Sequence, residues 1–181
     1  MKSTSMYILR MALTLLIITS VVAAALAGVN AITAPKIAAI TQQKTQAAIE
    51  KVLPGGGEKL ESFPDETGIV KSVYASESGY AIEVAPNGFD GPVTMMVGVS
   101  KDGKVLDISI ISHTETPSLG AVAAAQNSAG ESFRNQFIGQ SGSLSVSKDG
   151  GTIDALTSAT ITSRAVTAGV NAALLCAAGL E

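Results

Sequence analysis

The segment from Asp154 to Ser163 holds the residues of this chain that are best suited to chemistry. It reads Asp-Ala-Leu-Thr-Ser-Ala-Thr-Ile-Thr-Ser, so an acid lies three residues before a cluster of hydroxyl side chains, and a helix-patterned apolar run follows. The first N–H groups of a helix are unpaired and lie at its positive end, so hydroxyls placed there can bind an anion. The competing and more common interpretation is that a Ser or Thr side chain only caps the helix.

A second polar segment, Ser112 to Ala121, gathers the one His of the chain, an acid, several hydroxyls, a Pro and a Gly in one predicted loop. By itself this pattern is typical of an ordinary turn, and His113 is typical of a surface residue. Cys176 is the one cysteine and lies in an apolar helical run, which excludes an internal disulfide and predicts a small buried side chain. One His and one Cys are too few ligands for a structural zinc or haem site, so no metal is predicted.

Length and composition further limit the classes of function that are possible for this chain. A chain of 181 residues is long enough for one globular domain and an additional segment. The net charge is −3, no basic cluster occurs in the sequence, and aromatic residues are scarce. These properties argue against a nucleic-acid partner.

The N-terminal segment has the length and polarity of a membrane anchor. No charged residue occurs between Arg10 and Lys36, and the interior of this stretch is almost entirely apolar. About 20 apolar residues cross a bilayer core, so a single transmembrane helix is predicted. A cleaved signal peptide is the alternative, because small residues near 23–27 resemble a cleavage site. Lys2 and Arg10, with no acid beside them, favour a cytoplasmic N-terminus in the cell (inner) membrane and a C-terminal domain on the extracytoplasmic side.

Beyond the anchor, the pattern predicts a helix followed by strands. Apolar residues at helical spacing continue from 32 to 52, and Pro54 with three following glycines ends the helix. Strands are predicted for 69–75, 79–84, 93–99 and 105–112. The last two are joined by Lys101-Asp-Gly-Lys104, a sequence typical of a hairpin turn.

The C-terminal part of the sequence predicts the helices that cover this sheet. A helix is predicted for Val122–Phe137, and a final helix from Ser158 or Ala159 to Ala178. Between them, short strands near 144–146 and 152–153 flank a second turn at 148–151. The fold class predicted is therefore α+β, with an N-terminal transmembrane helix followed by one domain in which helices cover an antiparallel sheet.

Several segments, in order along the chain, resemble a known family of FMN-binding domains. The family motif Asp-x-x-(Ser/Thr)-(Gly/Ser)-Ala-Thr, which directs covalent attachment of FMN through its phosphate to the final threonine, is matched by Asp154, Thr157, Ser158, Ala159 and Thr160. Glu115-Thr-Pro-Ser-Leu-Gly120 resembles the family's Glu-Thr-Pro-Gly-Leu-Gly. Ser118 stands where Gly is usual, which argues against a positive φ at that position. Phe133-x-x-Gln-Phe-x-Gly139 and the stretch from Lys148 to Asp154 are also similar to the family.

With its anchor, the chain resembles the G subunit of Rnf-type ion-translocating electron-transport complexes. The resemblance implies a membrane-anchored electron-transfer subunit of a translocase, not catalytic alone, whose partners are other subunits of the complex. It implies an anchor (1–35), a juxtamembrane helix and linker (36–58) and an FMN-binding domain (59–181). The alternatives are the related C subunit of a sodium-pumping NADH:quinone reductase and, from another class, a non-redox membrane-anchored binding or assembly domain.

The resemblance also implies roles for single residues. Thr160 is expected to carry the phosphodiester, with Thr162 as the competing hydroxyl, and a separate magnesium-dependent flavin transferase is expected to recognise Asp154. Hydrogen bonds from Glu115 and His113 are expected to tune the flavin. The predicted cofactor-binding residues are Thr157, Ser158, Ala159, Thr160, Thr162, Glu115, Thr116, Leu119 and Gly120.

Overall fold

The computed structural model describes residues 2–180, with side chains described from residue 6 onward. The described residues form three α-helices, α1 (Lys2–Val52), α2 (Ser128–Asn135) and α3 (Thr160–Ala178). They form five strands, β1 (Glu58–Lys59), β2 (Val70–Ala75), β3 (Gly79–Val84), β4 (Thr94–Ser100) and β5 (Val105–Ser112). Short 3₁₀ helices cover Gly120–Ala124 and Ser147–Asp149. The chain divides into two compact units, one ending at Gln43 and the other beginning at Lys44. The domain boundaries expected at residues 35 and 58 remain predictions.

The helix α1 is continuous and includes both the predicted anchor and the helix predicted beyond it. Its 51 residues span about 75 Å, more than twice the thickness of a bilayer core. Its large apolar side chains from residue 6 to residue 40 are exposed. The hydroxyls of Thr14, Thr19, Thr33 and Thr41 donate to carbonyl oxygens four residues earlier, so they need no water. These properties are those of a helix that is surrounded by lipid.

The sheet is an antiparallel meander in the order β1-β2-β3-β4-β5. Four strands lie within one residue of their predicted bounds, whereas the short β1, which pairs Glu58 with Ala75, lacked a sequence signal. The predicted hairpin joins β4 to β5: Ser100 N–H donates to the Lys104 carbonyl at 2.8 Å, and Gly103 adopts a φ of 66°. The antiparallel α+β architecture predicted from the sequence is confirmed.

The two faces of the sheet pack against different helices, because neighbouring side chains of a strand alternate between faces. In β4, Met95 and Val97 belong to the core beneath α2 and α3, whereas Met96 packs with the last turns of α1. A Cβ at Gly98 would overlap the carbonyl oxygen of Val52, so this glycine permits the close approach of α1 to the sheet. Although α3 is long and apolar enough to cross a membrane, most of it is buried in this core.

The helix predicted for Val122–Phe137 is wrong as a single element. A 3₁₀ helix ends at Ala124, Ala125 is extended, and α2 begins only at Ser128. Asn127 caps α2, since its Oδ1 accepts a hydrogen bond from Gly130 N–H at 3.0 Å. The apolar spacing continued across this break, and the capping signal at Asn127 was the local feature that marked the true helix start.

The short strands predicted near 144–146 and 152–153 are also wrong as strands. The chain makes only an isolated parallel bridge between Val146 and Ile153, around the 3₁₀ turn Ser147–Asp149. Gly150, with a φ of 83°, ends this turn. The final helix begins at Thr160, slightly later than predicted, because Ser158 has a φ of 62° that is incompatible with a right-handed helix.

Candidate functional site

The loop that follows β5 and the N-terminal turn of α3 line one cavity of about 290 Å³. Most residues predicted to bind the cofactor meet there: Glu115, Thr116, Leu119, Gly120, Ser158, Ala159, Thr160 and Thr162. Phe89 and Ile161 complete the lining and were not predicted. Thr157 and Asp154 lie outside the lining. Tertiary structure therefore brings together two segments that are about 40 residues apart in sequence.

Glu115 is the buried polar centre of this cavity, with only 5% of its surface exposed. Its Oε1 accepts a hydrogen bond from Phe89 N–H at 2.7 Å, and its Oε2 accepts one from Thr162 Oγ1 at 2.5 Å. A Cβ at Gly120 would overlap the carboxylate, so glycine is required for the loop to pack at this point. Glu115 thus ties the β5 loop to both α3 and the segment around residue 89.

The two candidate threonines of α3 differ in their surroundings. Thr162 is 1% exposed, and its hydroxyl is committed to Glu115. Thr160 is partly exposed and lines the cavity, and its Oγ1 accepts a hydrogen bond from Lys148 Nζ at 3.0 Å. Thr160 therefore offers the accessible hydroxyl, whereas the hydroxyl of Thr162 supports the fold of the site.

The N-terminus of α3 lacks the side-chain cap that the simplest interpretation of the Ser/Thr cluster requires. The N-cap residue is Ala159, which makes no side-chain capping bond. Ser163 instead stabilises the preceding turn: its Oγ donates to the Ala159 carbonyl at 2.9 Å and accepts from Leu156 N–H at 2.9 Å. A helix leaves its first N–H groups without intrahelical acceptors, so those of the first α3 turn are suited to a bound anion.

Two serines in the segments that form the cavity adopt left-handed backbone conformations. Ser118 has a φ of 63° and Ser158 has a φ of 62°, a region that costs a non-glycine residue roughly 1–2 kcal/mol. The expectation that Ser118 argues against a positive φ is therefore wrong: the loop keeps this conformation although serine replaces glycine. Both segments that form the cavity therefore contain a strained backbone position, a feature that is common at ligand-binding and active sites.

Lys148 contacts Thr160 and was not among the residues that the sequence pattern assigned to the site. Its ammonium group lies at Thr160 Oγ1, and the next residue, Asp149, forms a two-point ion pair with Arg164. Arg164 Nε donates to Asp149 Oδ2 at 2.7 Å and Nη2 donates to Oδ1 at 2.6 Å. Hydrogen bonding to Arg164 lowers the pKa of Asp149, and the same carboxylate raises the pKa of Arg164. Both groups are therefore charged at neutral pH.

Gln136 holds the segment that begins the motif. The Asp154 N–H donates to Gln136 Oε1 at 2.6 Å, and Gln136 Nε2 donates to the Asp154 carbonyl at 3.2 Å. These bonds fix the backbone of Asp154 and leave its side chain on the exposed surface. The available sequence signal was the Gln in Phe133-x-x-Gln-Phe-x-Gly139.

His113 and Cys176 lie outside the cavity that contains Thr160. His113 lines a different groove with Lys44 and Lys51, and within the described residues its buried Nδ1 atom has no hydrogen-bond partner. Cys176 is buried in the core, as predicted, and burial raises the pKa of its thiol to about 11. The expected role of His113 in tuning the flavin remains a prediction.

Known proteins with similar sequences identify the family. Residues 88–175, which include every cavity residue, match the FMN-binding domain family. The chain is 38% identical to the G subunit of the proton-translocating ferredoxin:NAD(+) oxidoreductase complex of Clostridium ljungdahlii, over 82% of this chain and 80% of that protein. It is 33% identical to the G subunit of the Na(+)-translocating ferredoxin:NAD(+) oxidoreductase complex of Acetobacterium woodii, over 91% and 88%.

Two further relatives extend the comparison. The G subunit of the ion-translocating oxidoreductase complex of Haemophilus influenzae is 35% identical over 77% of this chain and 75% of its own. The crystal structure of the C subunit of the Na(+)-translocating NADH-quinone reductase from Parabacteroides distasonis is similar at 24% identity and a TM-score of 0.45, over 58% of each chain. On the strength of the matches that extend over most of its length, the chain belongs to the G-subunit family of Rnf-type ion-translocating oxidoreductase complexes.

Proposed function

We propose that this chain carries one FMN, bound covalently by a phosphodiester to Thr160. Family membership makes it a membrane-anchored electron-transfer subunit of an ion-translocating oxidoreductase, a redox subunit that is not catalytic alone. The single observation that carries the proposal is the accessible Thr160 hydroxyl, placed at the uncapped N-terminus of α3 within the FMN-binding domain.

The residues of the cavity suit the two chemically different parts of FMN. An apolar wall is formed by Phe89, Leu119 and Ile161, which are 68%, 41% and 49% exposed. Exposed large apolar side chains around a concave surface favour a planar aromatic ligand such as a flavin ring. A phosphate at Thr160 would find the N–H groups of the first α3 turn and the ammonium of Lys148.

Each group of the chain has a separate task toward the cofactor. FMN, when bound, supplies the redox chemistry, and the protein supplies attachment, orientation and electrostatics. Thr160 fixes the phosphate end, and the apolar wall positions the ring and keeps water from one side of it. Glu115 is already satisfied by Phe89 N–H and Thr162 Oγ1, so it acts by holding the loop that bears Leu119 and Gly120.

Maturation requires a partner, because a threonine hydroxyl does not displace a phosphoryl group unaided. A separate flavin transferase is the proposed partner, and the exposed side chain of Asp154 is accessible for its recognition. Gln136 presents this acid by holding its backbone on both sides. The predicted role of Thr157 is confined to the recognised sequence, since it lies outside the cavity.

The remaining partners are other subunits of a membrane complex. The named relatives belong to ferredoxin:NAD(+) oxidoreductase complexes, so the proposed donor and acceptor are redox centres of neighbouring subunits. Anchoring by the exposed apolar part of α1 keeps the domain at the membrane, where such partners are concentrated. Lys2 and Arg10 favour a cytoplasmic N-terminus and an extracytoplasmic domain.

Intact-mass measurement of the full-length chain tests the proposal. Coexpression with a flavin transferase should raise the mass by one FMN less one water, and the adduct should survive denaturation. Expression without the transferase is the matched control and should give the unmodified mass. An unmodified chain from cells in which the transferase labels a second, known acceptor would contradict the covalent-flavin function.

A further inference from the structure

We propose that Lys148 assists the attachment of FMN to Thr160, and that the Asp149–Arg164 ion pair positions Lys148 for this step. The inference rests on the proposed function and deepens it, because it assigns chemistry to residues outside the recognised motif. It starts from the contact between Lys148 Nζ and Thr160 Oγ1 at 3.0 Å.

The direction of this hydrogen bond matters for the chemistry. An ammonium group can only donate, so Thr160 Oγ1 accepts, and the hydroxyl's own proton is left available to a base. In the transfer, a bond forms between Oγ1 and the phosphorus that bears the flavin, and the pyrophosphate bond of FAD breaks. AMP leaves, the hydroxyl proton passes to a base of the transferase, and no electrons are transferred to or from the flavin.

Negative charge develops on Oγ1 and on the phosphoryl oxygens as the proton departs. A fixed positive charge stabilises this state more than the neutral hydroxyl that precedes it, which is the requirement for lowering a barrier. Lys148 is exposed, so solvent and salt weaken its effect relative to a donor in an enclosed site. We therefore expect its removal to slow attachment roughly tenfold, less than the 10²–10³ typical of a buried oxyanion donor.

The position of Lys148 depends on the turn that bears it. Ser147–Asp149 is a single 3₁₀ turn, ended by the left-handed Gly150, and a lysine on a short exposed turn has many side-chain conformations. The ion pair between Asp149 and Arg164 links this turn to α3. Arg164 lies four residues after Thr160, on the same face of the helix. Two parallel hydrogen bonds fix the relative orientation of the two side chains as well as the distance between them.

The experiment measures attachment to the purified full-length chain with transferase, FAD and Mg²⁺, by intact mass over time. Lys148→Gln should lower kcat for attachment roughly tenfold while leaving the KM for the protein acceptor within about twofold. Lys148→Arg retains a cation and should recover most of the rate. Lys104→Gln, which removes an exposed lysine from the β4–β5 turn, is the matched control and should match the unmodified sequence.

The ion pair is tested by charge exchange. Asp149→Asn and Arg164→Gln should each slow attachment several-fold, and Asp149→Arg combined with Arg164→Asp should recover part of the loss. An unchanged kcat in Lys148→Gln would overturn the inference, as would an effect confined to KM, which would make Lys148 a recognition residue only. Failure of the unmodified sequence to accept FMN, with a second acceptor labelled normally, would instead contradict the proposed function.

Discussion

Replacement of the two α3 threonines, one at a time, should separate attachment from stability. Thr160→Ala is expected to abolish covalent FMN and to leave the domain folded. Thr162→Val is expected to keep covalent FMN and to destabilise the domain. The two variants are expected to differ because the two hydroxyls have different partners. The Thr160 hydroxyl contacts an exposed lysine, whereas the Thr162 hydroxyl donates a hydrogen bond to a buried carboxylate.

The expected change in stability of each variant follows from the contacts of the threonine that it replaces. Valine has nearly the shape of threonine, so Thr162→Val removes the hydroxyl with little change in packing. A lost hydrogen bond to a buried charged acceptor costs about 1.5–3 kcal/mol, which corresponds to a decrease in Tm of roughly 5–10 °C for a domain of this size. Thr160 makes no capping bond, and alanine has the higher helix propensity, so Thr160→Ala should change stability by less than ~0.5 kcal/mol.

Domain stability and FMN attachment are measured on separate samples. Stability is measured by thermal unfolding of the full-length chain in detergent, expressed without transferase so that bound FMN does not contribute. Near-ultraviolet circular dichroism is the appropriate signal, because it reports on buried aromatic residues such as Tyr80 and Phe137 rather than on α1. Attachment is measured by intact mass after coexpression with the transferase.

Loss of FMN in Thr162→Val with retention in Thr160→Ala would move the attachment site by two residues and refute the assignment. Thr162→Ser is the matched control: it keeps the donor to Glu115 and should recover most of the stability lost in Thr162→Val. Equal stability of Thr162→Val and the unmodified sequence would refute the energetic argument for the Glu115 contact, whatever the result for FMN.

Four further predictions concern other parts of the chain. Ser118→Gly should stabilise the domain by about 0.5–1 kcal/mol in thermal unfolding, because relief of the left-handed strain exceeds the greater unfolded-state entropy of glycine; Ser118→Ala keeps the strain and should not stabilise. Cys176 should react slowly with iodoacetamide at pH 8 unless the chain is unfolded, and fast labelling of the native protein would contradict its burial. Since burial raises the pKa of this thiol from 9.0 to about 11, its contribution to stability is complete below pH 9 and is lost as the pH rises through about 11; unfolding of Cys176→Ala measures the difference. A reporter that is active only after export, fused after Glu181, should be active, whereas a mature N-terminus near Gly28 would indicate a cleaved signal peptide.

Local sequence was sufficient for the elements whose sequence pattern is local. Strand alternation and the Asp-Gly turn placed β2 to β5 within one residue, because side-chain period and turn chemistry are properties of neighbouring residues. The same reasoning failed between Val122 and Phe137, where apolar spacing continues across a break. Gly130 packs there against the carbonyl oxygens of Val122 and Ala125, a contact that no helical period encodes.

For the site, the sequence by itself identified the two segments, because the motif ending at Thr160 and the Glu115 loop resemble those of the FMN-binding family. Only the tertiary structure decided which hydroxyl is accessible, because the partner that occupies Thr162 lies 47 residues away in sequence. The tertiary structure also placed the ammonium group of Lys148 beside the Thr160 hydroxyl, on a turn that the Asp149–Arg164 ion pair connects to α3. Hydrogen bonds and charges act through space, so partners distant in sequence are fixed only when the sheet and α3 have packed together.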